Sequence, residues 1–212
     1  MTHPLILTTY DDVPEFVRGF VRDMRVRWVL EETGRPYQVA TTPLSPKAPG
    51  HVAQQPFAQV PYVQDGDLHL FESGAIVLHL AKGTALLPEG NAGALTLQWL
   101  IAALNSVEPL VMAWAQAKFF GTDPAAQEAT AKPLLSRLTQ LQDALGDKDW
   151  LLPDGFTAAD LMMADILRVP DSAGLLDSLP RLQAYAARAR ARPAFQRAHD
   201  SHMAHWTRHQ TA

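Results

Sequence analysis

Residues 59–81 constrain the fold of this 212-residue chain more than any other segment. Two short runs rich in aromatic and aliphatic residues, 59–63 and 68–71, are typical of strands. Residues 64–67 between them, Gln-Asp-Gly-Asp, have the composition of a turn, which predicts an antiparallel hairpin. Beyond the hairpin the apolar residues fall at helical spacing, and Ser73 is the predicted N-cap of that helix.

Pro61 interrupts the first of these strands, because proline cannot donate a hydrogen bond to a neighbouring strand. We expect it at the start of an edge strand, where a cis peptide bond could turn the Val60 backbone outward. The N–H and C=O groups of Val60 would then be able to bind an extended peptide as an added strand.

A carboxylate site and an ammonium site are predicted a few residues later. The amide and hydroxyl of Ser73 open a helix N-terminus, which attracts a carboxylate. Glu72 beside it has the charge that an ammonium group requires. Together with Val60, these groups suit a small peptide that carries an α-amino acid end, although Glu72 and Ser73 could also serve only to cap the helix.

The chain contains no cysteine. This excludes disulfides, thiolate metal sites and a cysteine nucleophile of the protein itself, so any thiol chemistry must come from a bound ligand. A net charge of −4 gives no reason to expect nucleic acid as a partner. We see no secretory signal and no uncharged apolar run of bilayer length, so we expect no membrane association and a cytoplasmic location.

The periodicity of the chain predicts two domains. Residues 1–83 alternate between strand and helix patterns, which is typical of a thioredoxin-like α/β domain. Residues 84–91 contain proline and glycine and are the predicted linker. Residues 92–212 are helical throughout and predict an all-α domain. Its predicted helices are 95–119, 125–145, 158–169, 179–190 and 194–206.

Two local features of the second domain are predicted to be structural. Thr157 and Asp160 have the spacing of a capping box at the start of a helix. Pro109 should kink the long first helix of the domain.

Four motifs, in the right order, resemble those of the glutathione transferase family. The stretch QPFAQVPYVQDGDLHLFESGAIVLHLA (55–81) follows the family pattern of N/Q-P-F-x-Q-V-P, hairpin, E-S and helix. VRWVLEETGRPYQV (26–39) resembles the family's first helix and second strand, and FTAADLMMADI (156–166) its capping box on a central helix. PRLQAYAARARARPAF (180–195) is similar to its closing run. The resemblance implies a thioredoxin-like domain followed by a helical-bundle domain, and a homodimer.

The resemblance also implies a detoxifying transferase, in which the thiolate of bound glutathione attacks a hydrophobic electrophile. The implied alternatives are a glutathione-dependent peroxidase or disulfide reductase, and a non-catalytic binding or scaffold protein. The expected contacts of glutathione are Val60, Pro61, Glu72, Ser73 and Gln59, with Lys47 and His51 near its glycine carboxylate.

Such chemistry requires the ligand thiol, whose pKa is about 8.5 when free, to ionise near neutral pH. Family members place the donor that stabilises the thiolate at the end of the first strand or the start of the first helix. The candidates here are the hydroxyls of Tyr10, Thr8 and Thr9, with backbone amides, Arg18 and Arg22 as alternatives. Asp23 stands where many members carry a serine, and we expect it to cap the helix, since an anion would repel a thiolate.

A second substrate is expected to lie between the two domains, where ligand pockets often form. Ser106, Met112 and Trp114 are candidates to line such a pocket, although residues of these types more often pack in a core or a dimer interface. Near the C-terminus, four histidines fall on neighbouring faces of one helix. No supporting ligand pattern is evident, so we expect a solvated helix and no metal site. These histidines are His199, His202, His205 and His209.

Overall fold

The computed structural model describes residues 4–208. The chain divides into two compact units, Met1–Thr84 together with Arg192–Ala212, and Ala85–Ala191. The first unit combines a four-stranded sheet with helices and the second is helical, which confirms the predicted fold class. The last helix belongs to the first unit, although we expected it in the helical domain. His209 lies outside the described residues.

Four strands and four helices form the described part of the first unit, in addition to a short 3-10 helix, Glu15–Phe20. The strands are β1 (Leu5–Tyr10), β2 (Tyr37–Thr42), β3 (Tyr62–Asp65) and β4 (Leu68–Phe71). The first three helices are α1 (Asp23–Thr33), α2 (His51–Gln54) and α3 (Ser73–Ala81).

The second unit contains helices α4 to α8, and the chain then returns to the first unit with α9. Their bounds are α4 (Gly90–Ala102), α5 (Glu108–Phe120), α6 (Pro124–Leu145), α7 (Ala158–Ser172), α8 (Pro180–Arg190) and α9 (Pro193–Arg208). A π-helical turn, Ala103–Val107, separates α4 from α5 just before Pro109, where we predicted a kink. Helix α4 begins inside the predicted linker.

The sheet has the strand order β2-β1-β3-β4. Strand β1 runs parallel to β2 and antiparallel to β3, which forms the predicted hairpin with β4. Strand β3 is therefore internal, and our placement of Pro61 on an edge strand was wrong. Proline is tolerated there because pairing begins only at Tyr62, so no ladder bond needs the missing N–H. The Val60–Pro61 peptide bond is cis.

Helix α1 is buried along most of its length because α3 and α9 both pack against it. The side chains of Trp28 and Phe195 meet edge to face, with ring centroids 4.8 Å apart. Two acids at the end of α1, Glu31 and Glu32, bind arginines in and just before α9. Arg192 grips both carboxylate oxygens of Glu32, at 2.6 and 2.8 Å, and Arg197 lies 2.9 Å from Glu31. These ion pairs anchor the C-terminal helix in the first unit.

The helical stretch Gly90–Phe120 is long and apolar enough to cross a membrane by length and composition alone, which we did not expect. The stretch is not an uncharged run, because it contains Glu108 and Lys118. Core helices of globular proteins satisfy the same criterion, so the stretch is weak evidence for a membrane span.

The capping box at the start of α7 is present as predicted. Both carboxylate oxygens of Asp160 are used, and its four donors come from the helix end, a neighbouring loop and α8. They are the Leu151 amide at 2.8 Å, the Thr157 amide at 2.9 Å, the Thr157 hydroxyl at 3.0 Å and the Tyr185 hydroxyl at 3.1 Å. The buried carboxylate thus joins three parts of the second unit.

Replacing Asp160 with alanine should lower the free energy of unfolding by about 3 kcal/mol, because buried donors lose a charged acceptor. Thermal unfolding should then shift down by roughly 6–12 °C in a protein of this size. Asp154→Ala is the matched control, because Asp154 is exposed in the loop that precedes α7. Equal unfolding temperatures for the two variants would contradict the structural role of Asp160.

Candidate functional site

The junction between β4 and α3 has an unusual backbone. Helix α3 begins at Ser73 itself, and Glu72, not Ser73 as predicted, occupies the N-cap position. Glu72 is exposed and has φ 67° and ψ 113°. Such a conformation costs a residue with a side chain about 1–3 kcal/mol, and strain of this kind is concentrated at functional sites. The surrounding fold therefore holds the Glu72 main chain in a defined place.

Ser73 is buried, and its hydroxyl contacts a residue that the sequence analysis missed. Arg25, on α1, donates a hydrogen bond from Nη1 to Ser73 Oγ at 3.2 Å. An arginine can only donate, so the proton of the Ser73 hydroxyl stays available to another acceptor. The buried guanidinium also adds positive charge beside the N-terminus of α3. Both effects favour an anion at this point.

Hydrogen bonds from buried side chains hold the segment that leads into β3. Val60 precedes the first paired residue of β3 and pairs with no strand in the described part of the chain. The side-chain oxygen of Gln55 accepts hydrogen bonds from the amides of Phe57 and Gln59, at 2.6 and 3.1 Å. The sequence analysis missed Gln55, which is almost fully buried. These contacts fix the turn that presents Val60.

His51 has a different position from the one we expected. Its ring is buried, and Nε2 lies 3.0 Å from the carbonyl oxygen of Gln59. Because a carbonyl only accepts, Nε2 carries the proton and donates it to the main chain. The contact supports the turn before Val60 and leaves that N–H committed to the protein.

Of the three hydroxyls predicted to activate a thiol, Tyr10 is the accessible one. Thr8 is only 6% exposed and Thr9 is fully buried, with its hydroxyl oxygen enclosed and without a partner among residues 4–208. Tyr10 is partly exposed at the end of β1. Its oxygen accepts a hydrogen bond from Lys47 Nζ at 3.0 Å and lies 3.5 Å from the carbonyl oxygen of Ala58.

The ammonium group of Lys47 can only donate to the Tyr10 oxygen, so it leaves the phenolic proton in place. The distance to the Ala58 carbonyl is long for an O–H···O hydrogen bond, in which the two oxygens are most often about 2.7–2.8 Å apart. The Tyr10 hydroxyl can therefore donate to a ligand atom. Lys47 itself is exposed and adds positive charge at the same place.

Asp23 does not cap α1, since Arg22 occupies the N-cap position and Asp23 is the first helical residue. Its carboxylate is fully buried, 2.8 Å from Arg27 Nε and 3.4 Å from His202 Nδ1. Burial alone would raise the pKa of this carboxyl, but His202 and Arg27 outweigh burial and lower the pKa to about 2. The anion that we expected to repel a thiolate is thus paired inside the protein.

The residues proposed for a second substrate lie in the second unit. Ser106 is exposed on the π-helical turn, and its carbonyl oxygen accepts from Arg137 at 2.6 Å. Met112 is exposed on α5, whereas Trp114 is buried with its ring 5.8 Å from that of Phe119. No group of three or more metal-binding side chains is found among the described residues.

Two family models match the chain in the order of its predicted domains. The model of the glutathione S-transferase N-terminal domain matches residues 17–82, and a model of the glutathione S-transferase C-terminal domain matches residues 110–198. The N-terminal match contains Val60, Glu72 and Ser73.

Known proteins of similar sequence and structure carry the same family name. Glutathione S-transferase 3 of Zea mays is 32% identical over 192 residues, covering 82% of this chain and 86% of that protein. The probable glutathione S-transferase GSTF2 of Oryza sativa is 31% identical, covering 80% and 86%. A crystal structure of a glutathione transferase family member from Pseudomonas fluorescens, with two glutathione bound, is 25% identical. It superposes with a TM-score of 0.80 and covers 92% of each chain.

Proposed function

The chain belongs to the glutathione S-transferase family, and we propose that it is an enzyme that binds glutathione and transfers its thiolate to an apolar electrophile. The observation that carries the proposal is the Glu72–Ser73 junction. There Glu72, with a strained backbone and an exposed carboxylate, directly precedes a helix N-terminus whose first residue accepts a hydrogen bond from a buried arginine. A site for an ammonium and a site for a carboxylate suit the γ-glutamyl end of glutathione, which has both charges on one carbon.

Ser73 and Arg25 would bind the carboxylate of that end. The Ser73 amide is at the start of α3, and its hydroxyl keeps a proton to donate because Arg25 already donates to its oxygen. Glu72 would bind the ammonium by charge and hydrogen bonding. The two charges of its γ-glutamyl end would thus orient glutathione independently of contacts with its cysteinyl part.

The main chain of Val60 would bind the cysteinyl part of glutathione as an added strand. Supporting this role, Val60 lies outside the ladder of β3 and is presented by a turn that Gln55 and His51 brace. Pro61 restricts the backbone of Val60, the residue before it. Gln59, on the other side of Val60, is exposed. The ligand would then extend from the start of α3 towards the end of β1, since Thr8 pairs with Tyr62.

Tyr10 would donate a hydrogen bond from its hydroxyl to the thiolate of glutathione. It is the most exposed of the three candidate hydroxyls, and its proton is not consumed by Lys47. A hydrogen bond to the charged form of a titrating group lowers its pKa, so the donor would increase the thiolate fraction at neutral pH. The ammonium of Lys47 would attract the negatively charged ligand, including its glycine carboxylate.

Other parts of the proposal rest on the family resemblance. The contribution of Ser106 and Met112 to binding of a hydrophobic electrophile stays a prediction. Trp114 is the weakest of the three candidates, because its side chain is buried. The homodimer, the role in detoxification and the cytoplasmic location also stay predictions.

Replacement of Ser73 with alanine tests the proposal. It removes the hydroxyl donor, and we expect calorimetry to report glutathione binding about 10- to 50-fold weaker than in the unaltered protein. Ser178→Ala is the matched control, because Ser178 is exposed in the second unit. Equal affinities for the two variants would overturn the placement of the carboxylate, and failure of the unaltered protein to bind glutathione at millimolar concentration would overturn the function.

A further inference from the structure

The two buried histidines of α9 contact the segment between β1 and α1. We propose that His202 and His205 are positioning residues that place residues 11–22, and through them the Tyr10 hydroxyl. The inference rests on the proposed function, in which this hydroxyl donates to the thiolate of glutathione. It also gives a role to the histidine motif that we expected to be solvated, an expectation that was wrong for these two side chains.

His205 contacts the residue where the chain leaves the sheet. Its Nε2 lies 2.8 Å from the carbonyl oxygen of Tyr10. A carbonyl only accepts, so Nε2 carries the proton and donates it. The ring is held in turn by Trp206, with centroids 4.6 Å apart. The Asp11 amide of the same peptide group donates to the carbonyl oxygen of Thr42 at 3.0 Å. The two hydrogen bonds together hold the peptide plane that follows Tyr10, and with it the direction in which the Tyr10 side chain leaves the strand.

His202 contacts the same segment at two further points. Its Nε2 lies 2.6 Å from the carbonyl oxygen of Arg18, in the middle of the 3-10 helix. Its Nδ1 lies 3.4 Å from the carboxylate of Asp23, where α1 begins. One fully buried ring thus spans the middle and the end of the segment. With His205, α9 contacts the beginning, the middle and the end.

The register of α9 against α1 is fixed independently of the histidines. Arg27 donates from Nη1 to the hydroxyl of Ser201 at 3.0 Å and from Nε to Asp23 at 2.8 Å. Ion pairs to Glu31 and Glu32, from Arg197 and from Arg192 just before the helix, anchor the beginning of α9. The two histidines are therefore presented to the segment by a helix that is already docked.

Much of the segment lies near the surface, although Val13 is buried and Arg18 pairs with Asp12 at 2.9 Å. Its 3-10 helix contains no buried residue, and Phe16 is 58% exposed. Segments with few buried apolar contacts open at a low free-energy cost. The hydrogen bonds from α9 are accordingly expected to restrict its motion, and with it the motion of Tyr10.

The test combines variants of His205 with three measurements. His205→Phe keeps an aromatic ring but removes the donor, whereas His205→Gln keeps an N–H that can reach a carbonyl. His69→Gln is the control, because His69 is an exposed histidine on β4. The measurements are amide hydrogen exchange of residues 11–22, the Kd for glutathione and the pKa of the bound thiol from its ultraviolet absorbance.

For His205→Phe we expect exchange at least about tenfold faster in residues 11–22. The pKa of the bound thiol should rise by about one unit, because its donor is less well placed. The Kd should change less than about threefold, because the charged contacts of glutathione lie at Glu72 and Ser73. His205→Gln should fall between His205→Phe and the unaltered protein, and His202→Gln should also speed exchange in the segment.

Unchanged exchange in residues 11–22 for both His205→Phe and His202→Gln would overturn the inference. So would faster exchange with an unshifted pKa of the bound thiol, which would assign the histidines to stability alone. If His205→Phe does not fold, the same criteria apply to His205→Gln and His202→Gln. A failure of the proposed function looks different, because the unaltered protein would then not bind glutathione while hydrogen exchange still reports on the segment.

Discussion

Replacing Glu72 with glutamine is expected to weaken glutathione binding about 30-fold, or about 2 kcal/mol. The substitution keeps the size of the side chain and one of its acceptor oxygens, but it removes the charge that would bind the ligand's ammonium. Calorimetry of glutathione binding measures the loss. Glu89→Gln is the matched control, since Glu89 is also an exposed N-cap glutamate, at the start of α4. A Glu72→Gln variant with the affinity of its control would contradict the ammonium site.

Glycine at the same two positions separates stability from binding. Glu72 has φ 67°, where glycine is less strained than a residue with a side chain, whereas Glu89 has φ −83°. Glu72→Gly should therefore raise the free energy of unfolding by about 1 kcal/mol while it weakens glutathione binding. Glu89→Gly should not gain stability. Loss of stability in Glu72→Gly would show that the observed backbone is not strained.

Replacing Tyr10 with phenylalanine is expected to lower kcat/KM about 100-fold. Losses of this size are found when an enzyme loses one hydrogen-bond donor to an anion in its active site. The pKa of the bound thiol should rise by about one to two units, while the Kd for glutathione changes less than about threefold. Steady-state kinetics with an activated aryl chloride and ultraviolet titration of the thiolate measure these effects.

Tyr37→Phe is the control for that substitution. Tyr37 is also partly buried in the sheet, but it pairs with Leu5, at the opposite end of β1 from Tyr10. A weaker Kd with an unshifted pKa of the thiol in Tyr10→Phe would place the hydroxyl, with Lys47, at the glycine carboxylate of glutathione. That result would contradict the assignment of Tyr10 to the thiol and leave the charged contacts of the other end intact.

The features that the sequence predicted well are those determined within a few residues. The hairpin was predictable because Asp65 and Gly66 have turn chemistry between two apolar runs. The capping box of α7 was predictable because Thr157 and Asp160 act across a single helical turn. Both were confirmed, and both could be predicted without knowledge of the longer-range contacts that they also make.

The features that the sequence analysis missed depend on contacts between distant parts of the chain. The internal position of β3 follows from its pairing with β1, which no local pattern specifies. The contact of Arg25 with Ser73 requires α1 to pack against α3, and the burial of His202 requires α9 to return to the first unit. An arginine and several histidines look like surface residues until their charged or polar partners are known.

The candidate site also contains residues that local sequence marks and residues that it does not. Val60, Glu72 and Ser73 could be selected from sequence because a proline, a turn and a helix start mark them within a short stretch. A choice among Tyr10, Thr8 and Thr9 as the proposed thiol donor could not be made from sequence, because they are adjacent and only their burial distinguishes them. Alternation along the strand explains the burial of Thr9, since Leu5, Leu7 and Thr9 face the same covered side of the sheet. Thr8 alternates onto the face of Tyr10 and is nevertheless buried.

The pKa of the glutathione thiol bound to the unaltered protein tests the account most directly. The free thiol has a pKa of about 8.5, and a donor placed at the end of β1 should lower it by at least about one unit in the complex. Ultraviolet titration of the thiolate with the protein in excess gives the value. A pKa of about 7.5 or below is the predicted result. Binding with an unshifted thiol pKa, or no binding at all, would contradict a glutathione-activating enzyme.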